Sequence, residues 1–183
     1  NTFLHLLCLH PAVTSALLEE VFTLPSGEDR AWVKKLLSTP NRSGNLPLHF
    51  IASCPAVNAS LIGVLGSRFR EGAATKHNAG ALPLLLLSRN RKIDSAALEA
   101  LIALHPPAVK EKNGQGFYPL HVLCSNSAVT APLLATLLDW HPDAATDKYN
   151  SESGSPFHIL LRNPSLKSDP RMIHEFLLGW WPK

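Results

Sequence analysis

Leu46-Pro47-Leu48-His49, Tyr118-Pro119-Leu120-His121 and Ser155-Pro156-Phe157-His158 are three versions of one tetrapeptide, and Leu82-Pro83-Leu84-Leu85 is a fourth with leucine in place of the histidine. Their last residues stand at 49, 85, 121 and 158, intervals of 36, 36 and 37 residues. A degenerate copy, Thr2-Phe3-Leu4-His5, lies 44 residues before His49, so its unit is about eight residues longer than the rest. Further columns keep step. Pro106, Ala108 and Lys112 recur as Pro142, Ala144 and Lys148, and Gly44, Gly80, Gly116 and Gly154 each precede a tetrapeptide by one or two residues. Leu101 to Pro106 is echoed by Leu137 to Pro142 and by Leu177 to Pro182. A fixed period of this length is the signature of stacked units. The units run over about 1–44, 45–80, 81–116, 117–154 and 155–183.

Each unit reads as turn, helix, loop, helix. Proline at the second tetrapeptide position suits the first helical turn, where its missing N–H costs nothing and its φ is already helical. The residues that follow are apolar on nearly all sides, as in Phe50-Ile51-Ala52 and Val122-Leu123-Cys124; such a helix A must lie between neighbours. Helix B opens on cap signals, Asp94-Ser95, Thr130 with Pro132, and Asp169-Pro170. It continues amphipathically, with Leu133, Leu134, Leu137 and Leu138 as the stripe in unit four and Ile173, Phe176 and Leu177 in unit five. Polar stretches such as Lys110 to Gly116 and Asp147 to Gly154 read as projecting finger turns. A unit of this size cannot bury its apolar face alone, so the expected fold is all-α, a solenoid of about five stacked helix-turn-helix repeats forming a single domain.

Glycine, then x-[TSL]-Pro-Leu-His opening a helix, then a second helix and a turn resembles the ankyrin repeat, in a divergent branch with a longer period. The resemblance covers essentially the whole chain. It departs where the family's threonine before proline is Leu46, Leu82 or Tyr118, and where the small pair after the histidine becomes Ile51-Ala52 or Leu123-Cys124. TPR-like or HEAT-like helical hairpins are the alternative. The resemblance implies a protein-binding scaffold or adaptor acting through its concave and finger surface, and a column histidine that ties the start of helix A to neighbouring backbone.

Composition narrows the function classes. The 183 residues are 45% apolar, 17% charged and 7% aromatic, which excludes a disordered tail, a collagen and a charged coiled coil. The longest apolar run, Ala81 to Leu87, is far short of the roughly 20 residues that span a bilayer. A net charge of +3 is too small to argue for nucleic acid. Residues 60–112 nevertheless carry eight Lys/Arg against four Asp/Glu, whereas 113–160 carry Lys148 against four acids. Cys8, Cys54 and Cys124 are too sparse for a disulfide scaffold and read as reduced, buried thiols in an intracellular, reducing compartment, the cytoplasm or an organelle.

No Gly-rich phosphate loop, HExxH, GxSxG or paired-carboxylate motif is present, so neither an enzyme nor a cofactor or metal is expected. His5, His49, His121 and His158 fill one repeat column and read as structural, buried and hydrogen-bonded within or between units. His105 and His141 share a second column at the end of helix B, where a donor complements free carbonyls. Candidate partner-binding residues are Arg42, Lys76, Lys110 and Lys112 on or near the fingers, Arg89, Arg91 and Lys92 in the loop of unit three, and Trp180 and Trp181. Trp140 shares the Trp180 column and is expected to pack on the next unit. The apolar first helix and the terminal Trp180-Trp181-Pro182 leave both ends without polar caps, so the chain is expected to be part of a longer array, to serve as a subunit of a larger assembly, or to be a regulatory array fused to an enzyme.

Overall fold

The computed structural model describes residues 2–23, 31–147 and 154–180. Among the described residues eleven helices follow one another: α1 (Phe3–Leu9), α2 (Ser15–Thr23), α3 (Ala31–Ser38), α4 (Pro47–Ser53), α5 (Ala59–Arg68), α6 (Pro83–Arg89), α7 (Ser95–Leu104), α8 (Pro119–Ser125), α9 (Ala131–Trp140), α10 (Pro156–Arg162) and α11 (Arg171–Trp180). Among the described residues there is no strand. No helix there is long and apolar enough to cross a membrane.

Pro47, Pro83, Pro119 and Pro156 each begin a seven-residue helix after an extended cap residue, such as Leu46 at φ −84° and ψ 163°. Helices this short are marginal in isolation, so packing holds them. The short helices α1, α4, α6, α8 and α10 touch in sequence and make one layer; α2 and α3 with α5, then α7, α9 and α11, make the second. Leu48, Ile51, Leu84, Leu87, Leu120 and Leu123 from the first layer and Leu61, Leu65, Leu98, Leu101, Leu134 and Leu137 from the second are buried. Each such side chain contributes about 1.5–3 kcal/mol by leaving water.

Two second-layer helices, α5 and α7, start at side-chain caps. Asn58 accepts from Leu61 N at 2.9 Å and Asp94 from Ala97 N at 2.6 Å, whereas Thr130 holds the same place with no side-chain cap bond. After Phe69, His105 and His141 the chain enters a tight 3-10 turn, at Arg70–Ala74, Pro106–Lys110 and Pro142–Ala145, which precedes the finger. The long first unit has two helices, α2 and α3, where the others have one, and both pack on α5.

Unit five corrects two expectations. A 3-10 turn at Pro164–Lys167 lies between its helices, and α11 begins at Arg171. Met172 and Phe176, one helical turn apart, face the core, while Leu177 is 39% exposed because it stands about 100° around the helix from Phe176. The expected stripe of Ile173, Phe176 and Leu177 is therefore rotated. Trp140 is also exposed, at 48%, rather than packed on the next unit.

Candidate functional site

Three fingers share one construction. Asn41 N donates to Asn45 O at 2.9 Å, His77 N to Ala81 O at 3.1 Å and Asn113 N to Phe117 O at 3.0 Å, closing each loop. The first residue also fixes the tip from its side chain: Asn41 Oδ1 accepts from Ser43 and Asn45, Asn113 Oδ1 from Gln115 and Phe117, and His77 Nδ1 from Ala79. Successive fingers are bonded to each other through Asn78 N to Ser43 O (3.0 Å) and Gly114 N to Ala79 O (3.2 Å). Gly80 has φ +75°, and a Cβ there would lie 2.9 Å from Gly114 N, so both conformation and space require glycine.

The lysines at the fingers are engaged within the chain. Lys76 Nζ meets Glu111 Oε2 at 2.7 Å, and Lys112 Nζ meets Asp147 Oδ2 at 2.8 Å while lying 4.6 Å from the Tyr118 ring centre. The two pairs are one motif 36 residues apart. The hydrogen bond between Lys112 and Asp147 raises the lysine's pKa and holds the carboxyl below its usual range. Both pairs are part-exposed and worth little to stability individually. Arg42 and Lys110 are exposed and make no ion pair among the described residues. Trp180 closes α11, and its side chain, all of Trp181 and Lys148 lie outside the described residues.

The histidine column joins helix starts to fingers. His5 Nδ1 accepts from Thr2 N at 3.0 Å, and its Nε2 donates to Asn45 O at 2.8 Å in the next unit. His121 Nδ1 likewise accepts from Tyr118 N (3.3 Å), while its Nε2 donates to Asp147 O (3.1 Å) in the finger of its own unit. His49 Nδ1 accepts from Leu46 N at 3.0 Å, but its buried Nε2, near the carbonyls of Thr75 and Ala81, lacks a well-formed partner. Burial holds His49 and His121 down to about 4, with His77 adding to the effect at His49 through ring centres 5.6 Å apart. His158 departs from the expectation of burial: it is exposed, although Ser155 N still donates to its Nδ1 at 3.3 Å. The three thiols are unpaired and buried. Among the described residues no three His, Cys, Asp or Glu side chains converge as metal ligands would.

No family model and no curated protein matches this chain.

On the opposite edge, where the first helix of each unit turns into the second, the chain carries a further column that the tetrapeptides do not announce. Asn90 Nδ2 donates to Ala52 O (3.0 Å) and Cys54 O (2.8 Å), Asn126 Nδ2 to Ser88 O and Asn90 O (both 2.9 Å), and Asn163 Nδ2 to Cys124 O and Asn126 O (both 2.8 Å). Each amide also accepts, through Oδ1, from the backbone two residues on. The result is a ladder of asparagines that ties every loop to the one before it. Its signal was present as Cys54, Asn90, Asn126 and Asn163, spaced 36, 36 and 37. In the loop Arg89-Asn90-Arg91-Lys92, Asn90 is structural, while Arg89, Arg91 and Lys92 are exposed.

Proposed function

We propose that the chain is an ankyrin-like solenoid acting as a protein-binding scaffold, without catalysis or a cofactor. One observation carries this reading: the columns that recur from unit to unit are mostly spent on packing or on bonds to a neighbouring unit, whereas the finger tips vary. The prolines, histidines, glycines and asparagines of the columns hold the stack, while the finger tips change from Arg42-Ser43 to Asn78-Ala79 to Gly114-Gln115. A constant support carrying a variable surface suits recognition of a particular partner. His5 and His121 have both ring nitrogens engaged with the backbone, which supports a structural rather than a general-base role for them. Unpaired buried thiols fit a reducing compartment inside the cell.

A second reading, in which the chain is a subunit or regulatory array meeting its neighbours by its ends, draws on exposed apolar side chains there: Phe3 at 64%, Leu6 at 57% and Leu178 at 54%. Affinity capture with cross-linking mass spectrometry separates the two. The scaffold reading expects partner cross-links from Lys76, Lys110 or Lys112 and loss of capture in Arg42→Glu/Lys110→Glu. Cross-links confined to residues of α1 and α11 would replace it with the second.

A further inference from the structure

The cations of the two edges differ in what faces them. At the fingers Lys76 and Lys112 are matched by Glu111 and Asp147. Arg89, Arg91 and Lys92 in the loop between α6 and α7, and Arg162 and Lys167 between α10 and α11, are exposed and enter no ion pair among the described residues. The nearby acids are too few to cancel them: Asp94 caps α7 through Ala97 N, and Asp169 is already paired with Arg171 at 2.9 Å, which leaves the five cations in excess. The asparagine ladder places these loops side by side in one file, with Ser125, Ser127 and Ser165 between and beside the charged positions.

We infer that this loop edge binds an extended acidic peptide segment of a protein partner. The inference rests on the scaffold reading and adds a second surface and a partner chemistry to it. Helices stack at 8–10 Å, so the two steps from unit three to unit five span roughly 20 Å, the reach of about six extended residues. The row therefore fits Asp or Glu side chains of one strand laid along it. Ladder hydrogen bonds hold the loop backbones in place before binding, which lowers the ordering cost of association. Loop residues 89–93, 125–129 and 162–168 contain no aromatic ring on which a nucleic-acid base could stack, so a protein segment is favoured over a single strand.

Fluorescence anisotropy with a labelled peptide of alternating Asp and Ser, about ten residues long to cover the row, tests the assignment. The informative variant is Arg89→Ser/Arg91→Ser, because serine occupies both columns in unit four, as Ser125 and Ser127, so the stack should be retained. Thermal melting checks that it is. The control, Lys34→Gln/Lys35→Gln, removes two positive charges from α3. Peptide affinity should fall about tenfold in the loop variant, weaken with added salt, and stay near wild type in the control. Absence of peptide binding, equal loss in both variants, or tighter binding of an oligothymidine or of phosphatidylserine vesicles overturns the inference. Failure here with capture of a finger-bound partner intact removes only the loop-edge assignment and leaves the scaffold reading standing.

Discussion

Asn126 links three units through one residue: its amide donates to Ser88 O and Asn90 O, and its own carbonyl accepts from Asn163. Asn126→Ala leaves two carbonyls without their donor in a buried site, a loss of about 1–3 kcal/mol. For a chain of this size each kcal/mol lowers the melting temperature by about 2–4 °C, so calorimetry should show a fall of several degrees. Asn126→Asp should be worse, since it sets a carboxylate against the same carbonyls; an Asp variant as stable as wild type would sink the ladder as a source of stability. His49 and His121 make a different test. Their Nδ1 atoms accept from backbone N–H, so protonation would turn an acceptor into a donor facing a donor. The folded pKa lies near 4 and the unfolded value near 6.5, so the unfolded state takes up the proton first. Stability is complete above pH 6.5, falls between 6.5 and 4 and levels off below; Asp147, whose pKa is depressed, adds its loss only below about 3.8. Each buried histidine can supply up to about 3 kcal/mol of this fall. Urea titrations of wild type and His121→Gln should show a shallower slope with pH in the variant, and an unchanged slope would place the titration elsewhere.

Among the elements, two glycines show how context sets the sign of one substitution. Gly63→Ala in α5 meets nothing within 4 Å and should stabilise by about 0.5–1 kcal/mol through helix propensity. Gly80→Ala should destabilise by at least about 1–2 kcal/mol, because its positive φ and the 2.9 Å approach to Gly114 N are both lost to a methyl group. Equal shifts in urea midpoint would contradict this reading of the fingers. The same contrast explains what was legible. Pro47, Pro83, Pro119 and Pro156 mark helix starts because proline's fixed φ acts locally, and Asp94 marks another through its own side chain. The 3-10 turns after Phe69, His105 and His141 were not legible, since Pro106-Pro107 and Pro142 mark where helix B stops without specifying the turn that follows. Asn90 escaped for a different reason: its partners, Ala52 O and Cys54 O, become neighbours only after two units have stacked.

At the scale of the molecule, a row of equivalent units should tolerate the loss of one. Excising residues 82–117 joins Ala81 to Tyr118 and brings Asn126 over the carbonyls that Asn90 now reaches, so finger and ladder columns stay in register. The shortened chain should fold with a lower melting temperature and nearly the same helix content per residue by circular dichroism. Removal of half a unit, which misaligns both columns, should not fold. A result in which both deletions behave alike would show that the period does not govern stability. The period was legible from the tetrapeptides, and with it the layer assignment. The exposure of His158 and Trp140 was not, because a shared column fixes a residue's place in its own helix but not what the neighbouring element lays over it.

The buried thiols give this row a built-in clock. Cys8, Cys54 and Cys124 sit in units one, two and four, each without solvent exposure, and burial pushes Cys8 up to about 12 and Cys124 higher still. An alkylating reagent needs an exposed thiolate, so in the folded chain all three are chemically silent. Each reacts only when its own unit opens, and the order in which mass increments arrive reads out the order of opening. Native-state alkylation under mild urea should modify the three at different rates. A single common rate would instead mean that the whole row opens at once.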